Sequence, residues 1–319
     1  MLLFLLPLFA WANNCPVDFA KVVPKVSAVS VGGRTVAYQY SPVKNPKGTV
    51  LLLNGLMIRM KDWQSYAKKL RAEGYSVLQV AYSGQPESIA KNSAPQFAEP
   101  ISGAMLAEEI QAVITKAKID PPLHIHAYSY GSFPGMEYAK RHPDQVASVT
   151  LLNAMAKSLD NYIPQAAMAN ATLEQMRSVS ALMDPFGLFG GARQIANFQE
   201  NAYRKSVRDS LAKYKAGEHF PARVVRRDFE DGIVELTMGA KDFDLADYAG
   251  VKLPKIHLLL AKEEFYPEMR ADQLAFFRAL KKTSKGKLHV FDQYEHNDLL
   301  GAAEDDFLQV ATPLLNNTR

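Results

Sequence analysis

Residues His124 to Ser132 read His-Ile-His-Ala-Tyr-Ser-Tyr-Gly-Ser, an apolar strand pattern running directly into a serine. A serine becomes a nucleophile only where a sharp turn holds its hydroxyl clear of the backbone. The residues that follow, Phe133 to His142, continue at helical spacing up to Pro143, so Ser129 falls between a strand and a helix. Ala127 and Gly131 flank it at two residues' distance and are small enough to let those elements approach closely. The chemistry on offer is attack on an acyl carbon. That needs a base within reach, a carboxylate to orient the base, and N–H donors for the oxyanion. The same pentapeptide also serves as a plain strand-end turn, so the weight falls on what the rest of the chain brings near it.

Alternating residues at Val26 to Val31 and Thr35 to Tyr40, around Gly32-Gly33, predict a β-hairpin. Thr49 to Leu53 is a continuous apolar run, the pattern of a strand buried on both faces, and a helix follows from about Asp62 to Glu73, closed by Gly74. Ser76 to Ala81 reads as the next strand. An irregular loop carrying Pro86, Pro95 and Pro100 leads to a helix over 102 to 117, and Leu123 to Ala127 is the strand that delivers Ser129. Gln145 to Asn153 supplies another strand. The alternation stops over residues 155 to 248, which carry helical patterns, and resumes with Lys255 to Ala261, a helix from about Pro267 to Lys281, a strand at Lys287 to Asp292 and a last helix from Ala302 to Leu315. Strands and helices in this order specify an α/β fold, a doubly wound, mostly parallel sheet. Residues 26–154 and 249–319 form its core, and 155–248 is an inserted helical cap.

In open parallel sheets reactive groups gather beyond the carboxyl ends of the strands. Those ends carry Asn54-Gly-Leu-Met57, Tyr82-Ser83, Ser129, Asn153, Glu263-Glu264 and His296. Of the histidines, His296 alone stands at such an end; His124, His126, His257 and His289 lie inside predicted strands, where core or helix-facing roles are expected, and His142 ends a helix.

The Ser129 stretch resembles the nucleophile elbow of the α/β-hydrolase family, Gly-x-Ser-x-Gly, with Ala127 in place of the first glycine. The resemblance spans most of 26 to 154 and 244 to 315. It implies Ser129 as nucleophile, His296 as general base, and an acid after the seventh strand. Ala261-Lys-Glu-Glu264 set against the family's Gly-x-x-Asp puts Glu264 at the acid position, with Glu263 the alternative. The oxyanion hole would be the backbone N–H of Tyr130 and of Leu56, Met57 being the neighbour of the latter; Asn54-Gly55 stands where the family has His-Gly. The resemblance implies a serine hydrolase with a helical cap, cleaving a small-molecule ester or related acyl bond, without cofactor. A non-catalytic binding protein on the same fold, or an acyltransferase using the same triad, are the alternatives. A serine at the elbow sets the chain apart from the relatives that form an alkyl ester on an aspartate.

The chain has 319 residues, 48% of them hydrophobic, ample for a large buried core. A net charge of +4 is too mixed to call for a nucleic-acid partner. No His or Cys pair has metal-ligand spacing, no Gly-rich phosphate loop is present, and Cys15, the single cysteine, forms no intrachain disulfide. Met1 to Ala12 is an apolar run ending Ala-Trp-Ala, a signal-peptide pattern that predicts export to the periplasm or medium, the mature chain starting near Asn13. Within the cap, Phe186, Phe189 and Phe198 are expected to line the acyl pocket. Residues 204 to 228 hold Lys or Arg at eight positions against three acids, a solvated face that a membrane surface could also attract.

Overall fold

The structure is a computed structural model, and it describes residues 26–56, 58–91, 101–158, 161–162, 232, 235–264 and 266–316. The strands are β1 (Ser27–Val31), β2 (Arg34–Ser41), β3 (Thr49–Leu53), β4 (Ser76–Ala81), β5 (Leu123–Tyr128), β6 (Val146–Leu152), β7 (Lys255–Glu263) and β8 (Lys285–Glu295). The helices among the described residues include α1 (Gln64–Ala72), α2 (Pro86–Lys91), α3 (Gly103–Ala117), α4 (Ser132–Arg141), α5 (Pro267–Ala279) and α6 (Glu304–Leu315). One eight-stranded sheet has the order β1-β2-β4-β3-β5-β6-β7-β8. The β1–β2 and β2–β4 pairings are antiparallel and all the others parallel.

The central strands are apolar because both faces are covered. All residues of β3, β4 and β5 are buried. On one face Leu106, Ile110 and Val113 of α3, Met136 and Ala139 of α4 and Phe276 of α5 pack against Leu51, Leu53 and Ile125. On the other, Tyr66 and Leu70 of α1 and Phe307, Ala311 and Leu314 of α6 pack against Val50, Leu52 and Leu259. Each buried Val, Leu, Ile, Met or Phe among these contributes roughly 1.5–3 kcal/mol by leaving water. The hairpin forms where expected because Gly32 and Gly33, at φ 54° and 77°, supply the left-handed backbone that a two-residue turn needs.

β3 pairs with β4 on one side and β5 on the other, so the chain reverses its winding direction at β3. The loops leaving β3 and β5 therefore lie side by side at the strand ends, and these loops carry Asn54-Gly55-Leu56 and Ser129.

Three elements differ from the sequence reading. Pro86, read as part of an irregular loop, begins a short helix instead; a proline is tolerated at a first helical position, where its missing N–H costs nothing. That helix is tied down by Ser88, whose Oγ accepts from Ala37 N at 2.8 Å and donates to Ala81 O. β7 and β8 both run further than expected, to Glu263 and Glu295. His289, expected in the core or facing a helix, is exposed on β8, the sheet's edge, with its ring against Phe291.

The described residues that follow β6 and those that precede β7 lie side by side. Lys157 bridges Asp244, Ser158 N donates to Phe243 O at 2.8 Å, and Leu245 N donates to Ala156 O at 2.8 Å. Leu236, Phe243, Leu245 and Tyr248 pack into the core beside α3 and α4. Met1 to Ala12, Met57, Phe186, Phe189, Phe198 and the basic stretch 204–228 lie outside the described residues.

Candidate active site

Ser129 is the first residue past β5, and its backbone is left-handed, φ 50°. For an L-residue other than glycine that conformation costs about 1–2 kcal/mol, and it aims the side chain away from both flanking elements. The turn is held by what surrounds it. Met155 N donates to Ser129 O at 3.0 Å, and Ser132 Oγ donates to Met155 O at 2.9 Å, tying the elbow to the residues after β6.

Gly131 allows the approach on the other side. A Cβ there would sit 2.4 Å from Leu53 O and 2.9 Å from Asn54 O, so helix α4 starts against the bare backbone of β3's end. Ala127 is fully buried, and its methyl group is accommodated by Gly135 on α4, where an added Cβ would lie 3.2 Å from it. The helix thus makes room for the alanine that replaces the elbow's first glycine. Gly131→Ala is expected to force the elbow off β3 and to destabilise the fold by about 1–3 kcal/mol, as overpacked sites do. A thermal melt checks it: an unchanged midpoint would mean that the elbow is not braced against β3.

His296 follows β8 in a 3-10 turn and is 3% exposed in its side chain. Its Nε2 lies 3.0 Å from Ser129 Oγ, and its Nδ1 pairs with Glu264 Oε2. Ser129, His296 and Glu264 thus form one chain of contacts, as a hydroxyl, an imidazole and a carboxylate must to move a proton off the hydroxyl. Glu264 is the first residue beyond β7, and its side chain is fully buried. Glu263, the alternative, is the last strand residue, paired across the sheet with Glu295 and exposed.

Several groups absent from the sequence reading, or noted there without a role, hold this arrangement. Asn153, at φ 44°, donates through Nδ2 to His296 O at 2.8 Å and accepts from Ala261 N through Oδ1 at 2.7 Å, linking the histidine's loop to β7. Tyr128 OH donates to the same His296 carbonyl at 2.9 Å. Burial pushes the Tyr128 phenol well above its usual range, with Glu264 and Asp298 adding to the shift, so it remains a donor. Gln273 Nε2 donates to Glu264 Oε1 at 2.9 Å.

The loop after β3 is fixed by its carbonyls. Tyr82 OH donates to Asn54 O at 2.6 Å and Gln85 Nε2 to Gly55 O at 3.1 Å. Gly55 lies so close to the elbow that a Cβ would meet Ser129 Cβ at 3.2 Å and the Tyr128 ring at 3.0 Å. Leu56 therefore begins beside the serine, and Tyr130 follows it directly in the chain.

The buried histidines His124, His126 and His257 belong to the scaffold. His126 Nδ1 meets Tyr66 OH at 2.9 Å, His124 Nδ1 meets Ser148 Oγ at 2.8 Å, and His257 Nδ1 accepts from Lys287 N at 3.0 Å. Burial pushes His126 down to about 3 and His124 and His257 each to about 4, from an ordinary 6.5. The folded chain keeps these rings neutral, whereas the unfolded chain protonates them as the pH falls. Their contribution is therefore complete above about pH 6.5 and is lost on descending from there toward 4. For the fully buried His126 the loss at pH 5 is about 2 kcal/mol. The thermal midpoint is expected to fall between pH 7 and pH 5, and to fall less in His126→Gln; an equal fall in both would assign the acid lability to other groups.

Among the described residues no cluster of three or more His, Cys, Asp or Glu side chains could hold a metal ion, and no helix is long and apolar enough to cross a membrane. Residues 44–301 match a family model described as serine aminopeptidase, S33. No curated protein matches the chain. Solved structures share its fold at low identity. An α/β-hydrolase enzyme from a Medee basin deep-sea metagenome library superposes with a TM-score of 0.62 at 13% identity, covering 92% of this chain and 98% of its own. The enol-lactonase from Burkholderia xenovorans LB400 gives 0.60 at 17%, covering 91% and 100%. An esterase from Exiguobacterium antarcticum gives 0.59 at 16%, covering 90% and 98%.

Proposed function

Because the chain belongs to the α/β-hydrolase family described as serine aminopeptidase, S33, we propose that it hydrolyses an acyl bond, a carboxylic ester first of all, through an acyl-enzyme at Ser129. The observation that carries this reading is the continuous contact from Ser129 Oγ to His296 Nε2 and from His296 Nδ1 to the buried Glu264 carboxylate. His296 takes the proton as Ser129 Oγ attacks the acyl carbon. The oxyanion that forms is held by the backbone N–H groups of Leu56 and Tyr130. Collapse of the tetrahedral intermediate breaks the bond to the leaving oxygen, which receives the proton from His296. Water then attacks the acyl-enzyme by the same route, releasing the acid and restoring Ser129. Glu264 holds the imidazole in the tautomer with Nδ1–H and balances the charge it gains.

The substrate is a small molecule bearing the acyl group. An amide at an amino-acid N-terminus is a second reading, favoured by the family's description. The apolar run from Met1 to Ala12 supports export of the chain. The test is to label the purified protein with a fluorophosphonate and assay p-nitrophenyl esters beside amino-acid p-nitroanilides. Labelling with ester turnover supports the ester reading, and anilide turnover alone moves the substrate to the amide. Neither labelling nor turnover leaves a binding protein on a hydrolase fold.

A further inference from the structure

The structure assigns to Gln273 of α5 a positioning role in the reaction: its amide fixes the Glu264 carboxylate so that one oxygen stays on His296. Gln273 is fully buried. Its Nε2 donates one hydrogen to Glu264 Oε1 at 2.9 Å and the other to Ala154 O at 2.6 Å. Two acceptors at the same end of the side chain dictate the amide's orientation, because turning it over would set Oε1 against a carboxylate and a carbonyl. Its own Oε1 is buried without a partner among the described residues, a cost accepted in exchange for the two donated bonds.

A glutamate has one more rotatable bond than an aspartate, and at the end of a strand its carboxylate can swing among several rotamers. The one adopted brings Oε2 to His296 Nδ1. The bond from Gln273 to Oε1 selects it. Ala154 is also the neighbour of Asn153, whose amide holds the His296 carbonyl at 2.8 Å. The acid and the base are therefore both referenced to two consecutive residues at the exit of β6, the acid through Gln273 and the base through Asn153. A shift of either α5 or the histidine loop is registered against the same point of backbone. Asp at the acid position would not need such a partner, having a shorter reach and fewer rotamers.

This role rests on the proposed serine chemistry, and its test separates the two. The measured quantity is the rate of fluorophosphonate labelling at Ser129, with kcat and KM for a short p-nitrophenyl ester. Gln273→Met, which keeps the length but donates nothing, is expected to slow labelling and kcat by about 10- to 100-fold, the loss of a hydrogen bond to a buried charge, with KM changed by less than about twofold. In a Glu264→Gln background the same substitution is expected to cost less than about twofold, since the carboxylate through which Gln273 acts is gone. Gln273→Glu, nearly the same shape, sets a second carboxylate beside Glu264 and is expected to slow labelling at pH 8 at least as much; it serves if the methionine variant does not fold. Labelling at the wild-type rate in a folded variant overturns the role, as does an equal loss in the two backgrounds. A wild-type protein that is never labelled overturns the serine chemistry itself, and the role with it.

Discussion

Ser129→Ala is expected to abolish both fluorophosphonate labelling and ester hydrolysis while leaving the fold intact. The Ser129 hydroxyl lies 3.0 Å from His296 Nε2, the group that would take its proton under the proposed chemistry. Removing the nucleophile of such a triad lowers kcat by on the order of 10⁶, leaving only what the oxyanion donors and binding provide. Alanine fits the space, and Ser129 O keeps its bond from Met155 N, so the circular dichroism spectrum should be unchanged. Intact-mass analysis after labelling gives a direct reading: the wild type gains one phosphonyl group and the variant none. A variant still labelled would move the nucleophile elsewhere and take the mechanism with it.

Glu264→Gln should lower kcat by on the order of 10⁴, whereas Glu263→Gln should leave it within about twofold. Glutamine at 264 keeps the shape but offers His296 Nδ1 an amide that can turn either way, and the imidazole loses the group proposed to set its tautomer and balance its charge. Glu263 is exposed at the end of β7 and faces water. The same pair of variants, assayed for kcat on one ester, reads out both sites. Equal mild losses would show that neither glutamate supports the base.

The Glu263–Glu264 choice shows where sequence reasoning stops. Strand periodicity placed the end of β7 at Ala261, which left both glutamates free to turn toward the histidine. The strand in fact runs two residues further and pairs Glu263 with Glu295, so the turn inward begins one residue later. The contact between Ser129 and His296 was legible because each follows an apolar strand, and the resemblance to the α/β-hydrolase family supplied the chain order that pairs them. The parallel core was legible for the same reason: strands buried on both faces leave continuous apolar runs. Gln273 was not legible. It lies on a helix nine residues past the acid, and only the packing of α5 over the strand ends brings its amide to Glu264. Asn153 stood out as a strand-end residue, but its two bonds, to Ala261 and His296, depend on contacts between strands that no local pattern encodes. His289 was misplaced because periodicity marks a strand and does not say whether it lies at a sheet's edge.

The elbow meets the end of β3 backbone to backbone at Gly131, which lies against the carbonyls of Leu53 and Asn54, while the Gly55 backbone lies against the Ser129 Cβ and the Tyr128 ring. Spacing set by main chain offers mutation no gradations: a side chain can be trimmed one methylene at a time, but a carbonyl cannot. The distance between the Gly131 turn and the end of β3 is in this sense a constant of the molecule. Under the proposed chemistry, gradual adaptation to new substrates would have to come from surfaces that end in side chains, with the turn that carries Ser129 left as it is.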